Sequence, residues 1–166
     1  RGVTEFVPEW ISDKCIQCGK CAFVCPHAAI RIKQINKKEL DNAPENFKVI
    51  KSNTKNDKEF QFRVQVYPED CLGCTLCVNA CPVQGKALKM RSIESSRESG
   101  ENENQKFFEI LEEDILEGVP AGTVKETQLK QPLLEFSGAC SGCGETPYVK
   151  LVTQLFGDRM IIANAT

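Results

Sequence analysis

Histidine and tryptophan occur once each in this 166-residue sequence, methionine and tyrosine twice each, and aromatic residues make up only 7% of it. No stretch reaches the ~18 consecutive apolar residues of a membrane-spanning helix, and the N-terminus lacks the basic, apolar and small-residue order of a secretory signal. A cytoplasmic protein without a membrane partner is expected. A basic field is missing too: 21 Lys and Arg against 23 Asp and Glu leave a net charge of −2 and a pI near 5.6, so nucleic acid is not an expected partner. A hydrophobic content of 41% allows one modest core and at most a second, partial unit. The sequence opens on Arg1 and stops at Thr166 directly after an apolar stretch, as expected of a segment of something longer.

Ten cysteines stand against these scarcities. A disulfide framework needs an oxidising compartment and favours small secreted domains, which nothing else here supports. Eight of the ten fall into two runs of one pattern, C-x2-C-x2-C-x3-C-P: Cys15, Cys18, Cys21, Cys25 and Pro26, then Cys71, Cys74, Cys77, Cys81 and Pro82. Three cysteines spaced by three on a tight loop can bind three irons of one cubane. The fourth, leaving before proline, points toward the other cluster. The expected sets are therefore Cys15, Cys18, Cys21 with Cys81, and Cys71, Cys74, Cys77 with Cys25, each holding one [4Fe–4S] cluster. Zinc is the alternative for soft sulfur ligands, but its tetrahedral sites draw on separated CxxC pairs or on histidine.

The repeat extends beyond the cysteines. Ser12-Asp13-Lys14 precedes the first run as Pro68-Glu69-Asp70 precedes the second, and period-2 segments follow both, at Ala29 to Lys33 and at Ala87 to Arg91. Phe62, Val64 and Val66 alternate likewise. An α+β fold is expected, a bacterial-type two-[4Fe–4S] ferredoxin-like domain over 1–91 in which Ile16, Val24, Ile30, Leu72, Leu76 and Leu88 are candidates for the apolar cluster pocket. Residues 36–59 should form an exposed insertion with one short helix, whose Lys37, Lys38, Lys48, Lys51, Lys55 and Lys58 are either solvated or a docking face for an acidic redox partner. His27 and Trp10 read as packing residues, with cluster tuning an open alternative for His27.

The polar stretch 92–105 reads as a surface connection, so 92–136 is expected to be a linker and connecting segment. A short helical pattern lies around Phe107 to Leu116, with extended, irregular chain over 119–136. Next comes a CxxC pair flanked by glycines, Cys140 and Cys143, and a helix start with Thr146 as N-cap and Pro147 at N1. Val149, Leu151, Val152, Leu155 and Phe156 make that helix amphipathic, and Met160 to Ala163 reads as a buried strand. The CxxC is either half of a metal site or a redox dithiol.

The whole chain, and most specifically the ferredoxin block followed by PLLEFSGACSGCGETPYVKLVTQLFGDRMIIANAT, resembles the pyruvate:ferredoxin (flavodoxin) oxidoreductase family. The resemblance implies that 137–166 opens a partial α/β thiamine-diphosphate-binding domain, that Cys140 and Cys143 are half the ligands of a third [4Fe–4S] cluster, and that Glu145 lies beside thiamine diphosphate. It implies magnesium in the full enzyme, pyruvate and coenzyme A bound elsewhere, ferredoxin or flavodoxin as acceptor, and a homodimer. This segment would carry electrons outward without a complete active site. The open rivals are a free ferredoxin-type carrier, the relay of another 2-oxoacid oxidoreductase, and a structural iron–sulfur or zinc module.

Overall fold

The computed structural model describes residues 1–55 and 59–163. In chain order the elements are β1 (Phe6–Trp10), α1 (Lys20–Val24), β2 (Ile30–Asn36), β3 (Ile50–Lys51), β4 (Phe60–Val66), α2 (Leu76–Ala80), β5 (Leu88–Ser92), α3 (Ile93–Glu98), α4 (Glu101–Ile110), α5 (Val124–Leu129) and α6 (Thr146–Phe156). Each cysteine run is framed identically by strand, 3-10 turn, loop, one-turn helix and strand. The turns are Ser12–Lys14 and Pro68–Asp70.

The two halves exchange strands. β1 pairs antiparallel with β5, so that Trp10 opposes Leu88, and β2 pairs antiparallel with β4, so that Ile30 opposes Val66 and Ile32 opposes Val64. α1 and α2 are five residues each, too short to persist alone, and stand because they pack on one another between the sheets. Even-numbered positions of β2 and β4 share one face because side chains alternate along a strand. Ile30, Ile32, Phe62, Val64 and Val66 on that face are all nearly fully buried, in one core with Val7, Leu88 and Phe108.

The opposite face of the same sheet is buried as well, and it is polar. Lys33 donates to the carbonyls of Phe108 and Leu111, both at 2.8 Å, and pairs with Glu113 at 2.7 Å, while Arg63 and Gln65 both bond Glu101, at 3.0 and 2.8 Å. These bonds explain why 92–105 is not the surface connection its composition implied. It is helical, α3 capped by Ser92 Oγ accepting from Ser95 N–H, and α4 entered through Gly100 at φ 78°, and it covers polar strand residues with polar helix residues. Ile93, Asn104 and Gln105 are buried there.

Three further differences have local causes. Residues 36–59 are not wholly exposed: Phe47 is buried edge-on against Phe107, with centroids 4.8 Å apart, and β3 adds to β4. Lys37, Lys38, Lys48, Lys51 and Lys55 are exposed, while Lys58 lies outside the described residues. Within 119–136, expected as irregular, α5 forms because Thr123 Oγ1 accepts from Glu126 N–H and the Glu126 carboxylate accepts from Gly122 N–H, a reciprocal cap. Met160 to Ala163 forms no strand. No partner strand reaches it among the described residues, and Ile161 and Ile162 stand 96% and 65% exposed.

Candidate metal centres

The cysteine loops are built on left-handed backbone at matching places. Gln17 (φ 59°) and Gly73 (φ 64°) precede the second cysteine of each run, and Gly19 (φ 73°) and Thr75 (φ 63°) follow it. Each run has one glycine for the two left-handed positions and accepts a strained residue at the other. This backbone turns the amides inward: Gln17 N–H donates to Cys15 Sγ and Gly73 N–H to Cys71 Sγ, both at 3.4 Å, and Ala87 N–H donates to Cys81 Sγ at 3.3 Å. The fourth cysteines, Cys25 and Cys81, end α1 and α2 in extended conformation.

Two cavities result, and each is lined by cysteines of both runs. Cys15, Cys18, Cys21 and Cys81 line the first together with Trp10, Ile16, Phe62, Val64 and Leu88. Cys25, Cys71, Cys74 and Cys77 line the second with His27, Ile30, Leu72 and Met90. Of the six candidate pocket residues, Ile16 and Leu88 line the first cavity and Ile30 and Leu72 the second, whereas Val24 and Leu76 line neither. Among the described residues no three Cys, His, Asp or Glu converge on one metal-ion position.

Burial sets the electrostatics. It pushes the Cys21 thiol up to about 12 and the Cys71 thiol up to about 11, and it raises Cys77 further, helped by the neighbouring Cys25 and Cys21. Thiolates in these cavities therefore need cationic metal, and metal binding and folding are coupled. Cys21 and Cys77, one in the wall of each cavity, are carried by α1 and α2, which pack on one another. Two ring nitrogens fit a resident cluster: Trp10 Nε1 and His27 Nε2 are buried in the walls of the first and second cavity respectively, and neither has a hydrogen-bond partner in the protein.

Cys140 and Cys143 lie apart from both sets. Their loop docks on the second one: Ser141 Oγ donates to the Leu72 carbonyl at 2.9 Å, and a Cβ at Gly142 would sit 3.6 Å from Cys74 Cβ. Cys140 is exposed; Cys143 is half-buried at the start of α6, where the backbone N–H groups of Thr146 and Glu145 hold its thiol below the usual range. Glu145, not Thr146, takes the cap position of α6, with no side-chain capping bond, and it is exposed. α6 is fixed by Lys150, 2% exposed, whose Nζ donates to the Ala22 carbonyl and, at 3.0 Å, to the Cys25 carbonyl. Nothing in the sequence marked Lys150, since a lysine on an amphipathic helix reads as solvated.

Two cavities walled by crossed cysteine sets within a mixed helix and strand fold define an iron–sulfur module of the two-cluster ferredoxin type. The family described as "4Fe-4S dicluster domain" matches residues 14–84. Over all of its residues the chain is homologous to a segment of pyruvate-flavodoxin and pyruvate:ferredoxin oxidoreductases. It is 52% identical to the pyruvate:ferredoxin oxidoreductase of Moorella thermoacetica and 48% identical to the pyruvate-flavodoxin oxidoreductase of a Nostoc species, covering 14% of the length of each. It is 47% identical to a protein of Cryptosporidium parvum named pyruvate dehydrogenase [NADP(+)], of which it covers 8%. Among the described residues no helix is long and apolar enough to cross a membrane.

Proposed function

We propose that this chain is the electron-relay segment of a pyruvate:ferredoxin (flavodoxin) oxidoreductase, carrying electrons from the oxidative decarboxylation of pyruvate toward an external carrier. The observation that carries the reading is the sorting of eight cysteines into two four-sulfur cavities, each walled by both runs. Each cluster, when bound, takes up and releases electrons singly. The residues supply enclosure, thiolate ligands and inward-facing amides.

The seating of the Cys140 and Cys143 loop on Leu72 and Cys74 gives the relay a direction. Cys140 and Cys143 are half the ligands of a third [4Fe–4S] cluster on the entry side, the Cys71 set lies next to it, and the Cys15 set is the far end. Residues 137–166 then begin the thiamine-diphosphate-binding domain, with Glu145 facing that cofactor and its magnesium, and 92–136 joins it to the ferredoxin-like domain. The outward apolar stripe of α6 supports this division. Tyr148, Val152 and Phe156, spaced by four, are 71%, 41% and 50% exposed, and a continuous apolar face of this kind awaits a covering element. Pyruvate and coenzyme A bind outside these residues, and the parent enzyme is a cytoplasmic homodimer. Ferredoxin or flavodoxin accepts the electrons.

The test is freeze-quench EPR of the full-length parent enzyme. Pyruvate with coenzyme A should produce reduced-cluster signals that decay when oxidised ferredoxin or flavodoxin is added. Turnover without any reduction of these clusters would reject the relay.

A further inference from the structure

The two halves match closely in their sulfur-facing amides but differ at one side chain. Counted from the first cysteine of each run, Trp10 and Val66 occupy the same place, five residues before Cys15 and Cys71, and each is the last residue of its strand. Val66 has nothing to donate. Trp10 presents an indole Nε1–H that is buried, has no hydrogen-bond partner in the protein and lies in the wall of the Cys15, Cys18, Cys21 and Cys81 cavity.

Its placement is fixed by the backbone. β1 holds Trp10 opposite Leu88, Ile11 N–H donates to the Ala87 carbonyl at 2.9 Å, and Trp10, Cys15 and Leu88 line the same cavity. Burial raises the Cys15 thiol, and the Trp10 ring opposes that rise, as a neighbouring donor does. A buried N–H left unpaired is costly, and an indole nitrogen can only donate. His27 in the second cavity is not its equivalent. Its Nδ1 is tied to Ser137, 3.2 Å from the carbonyl and 3.4 Å from the hydroxyl, so its ring is engaged with the chain as the Trp10 ring is not.

We propose that Trp10 is a potential-setting residue: its Nε1–H donates to the sulfur of the cluster held by Cys15, Cys18, Cys21 and Cys81, favouring the reduced state of that cluster and not of its neighbour. The inference rests on the two-cluster reading above. Reduction adds negative charge to the cluster, and a donor fixed in a dry wall stabilises the more negative state. The relay's two otherwise similar halves thereby acquire different potentials, with the more readily reduced cluster at the end away from Cys140 and Cys143.

The experiment is a redox titration, monitored by EPR, of the full-length parent protein and its W10F variant, with 15N ENDOR of wild-type protein grown on tryptophan labelled at Nε1. Phenylalanine keeps an aromatic ring and removes the donor. One cluster potential should fall so that, at a fixed poise, its reduced-to-oxidised ratio drops several-fold, a tenfold drop being about 59 mV. The other potentials should hold, and a 15N coupling present in wild type should vanish in W10F. Unchanged potentials with full iron content, or no 15N coupling in wild type, would overturn the assignment. If W10F fails to load iron, the wild-type coupling decides alone. Wild-type protein without cubane signals would instead refute the two-cluster reading itself.

Discussion

Replacing Lys150 by methionine should loosen the tail from the cluster region, and the size of the effect follows from opposed contributions. Lys150 Nζ donates to two carbonyls at the end of α1, those of Ala22 and Cys25. Bonds from a charged donor contribute roughly 1.5–3 kcal/mol each, so losing both costs about 3–6 kcal/mol. Against this, burial lowers the Lys150 pKa from 10.5 to about 8, a charge penalty of about 3 kcal/mol that methionine removes. The net expectation is a loss of about 2 kcal/mol, concentrated in α6 because methionine fills the space but satisfies neither carbonyl. Anaerobic urea unfolding of the cluster-loaded chain reads the total, and alkylation of Cys140 and Cys143 reads release of their loop from Leu72. K150M protein as stable as wild type, with the two cysteines no more reactive, would refute the role given to this lysine.

The crossed ligand sets predict that C81A removes the cluster of the first run and C25A that of the second, each halving iron from about eight to about four per chain; loss of the same cluster in both variants would contradict the crossing. G19A should destabilise by about 1–2 kcal/mol, because φ is 73° and a Cβ would meet Lys125 Cα at 3.2 Å and Ile32 Cδ1 at 3.3 Å, and Q17G should destabilise as well although it relieves the left-handed strain, because the buried Gln17 Nε2 donates to the Lys51 carbonyl at 2.7 Å and its Oε1 accepts from Asn53 N–H at 3.0 Å. Comparative unfolding of the two variants checks the pair. Cys143 should be alkylated as thiolate at lower pH than an ordinary thiol, since backbone N–H groups stabilise its charged form; a rate profile by mass spectrometry that tracks a free cysteine would remove that effect.

The two cysteine runs were legible because sulfur spacing is a chemical constraint that tolerates little variation, and the alternation of Ile30, Ile32, Phe62, Val64 and Val66 located the strands for the same kind of reason. What escaped was the second face of the sheet. Alternation along β2 and β4 puts Arg31, Lys33, Arg63 and Gln65 on that face, and Lys33, Arg63 and Gln65 are buried against α4 and its C-terminal carbonyls. Polar pairing between distant segments leaves no periodic trace, so 92–105 looked like a connection. α6 shows the same inversion: its inner face carries Lys150, Thr153 and Gln154, and its apolar stripe points outward, opposite to what amphipathicity alone assigns. Trp10 was hidden because one tryptophan beside a core reads as packing. Only the comparison of its place with Val66, and the absence of a partner for its Nε1, singles it out.

Anaerobic iron and acid-labile sulfide analysis of this chain, followed by EPR after dithionite reduction, tests the two-cluster relay most directly. About eight irons per chain with matching sulfide, and two magnetically interacting reduced cubane signals, are the expected result. Zinc in place of iron, or a single isolated cubane holding four irons, would contradict it.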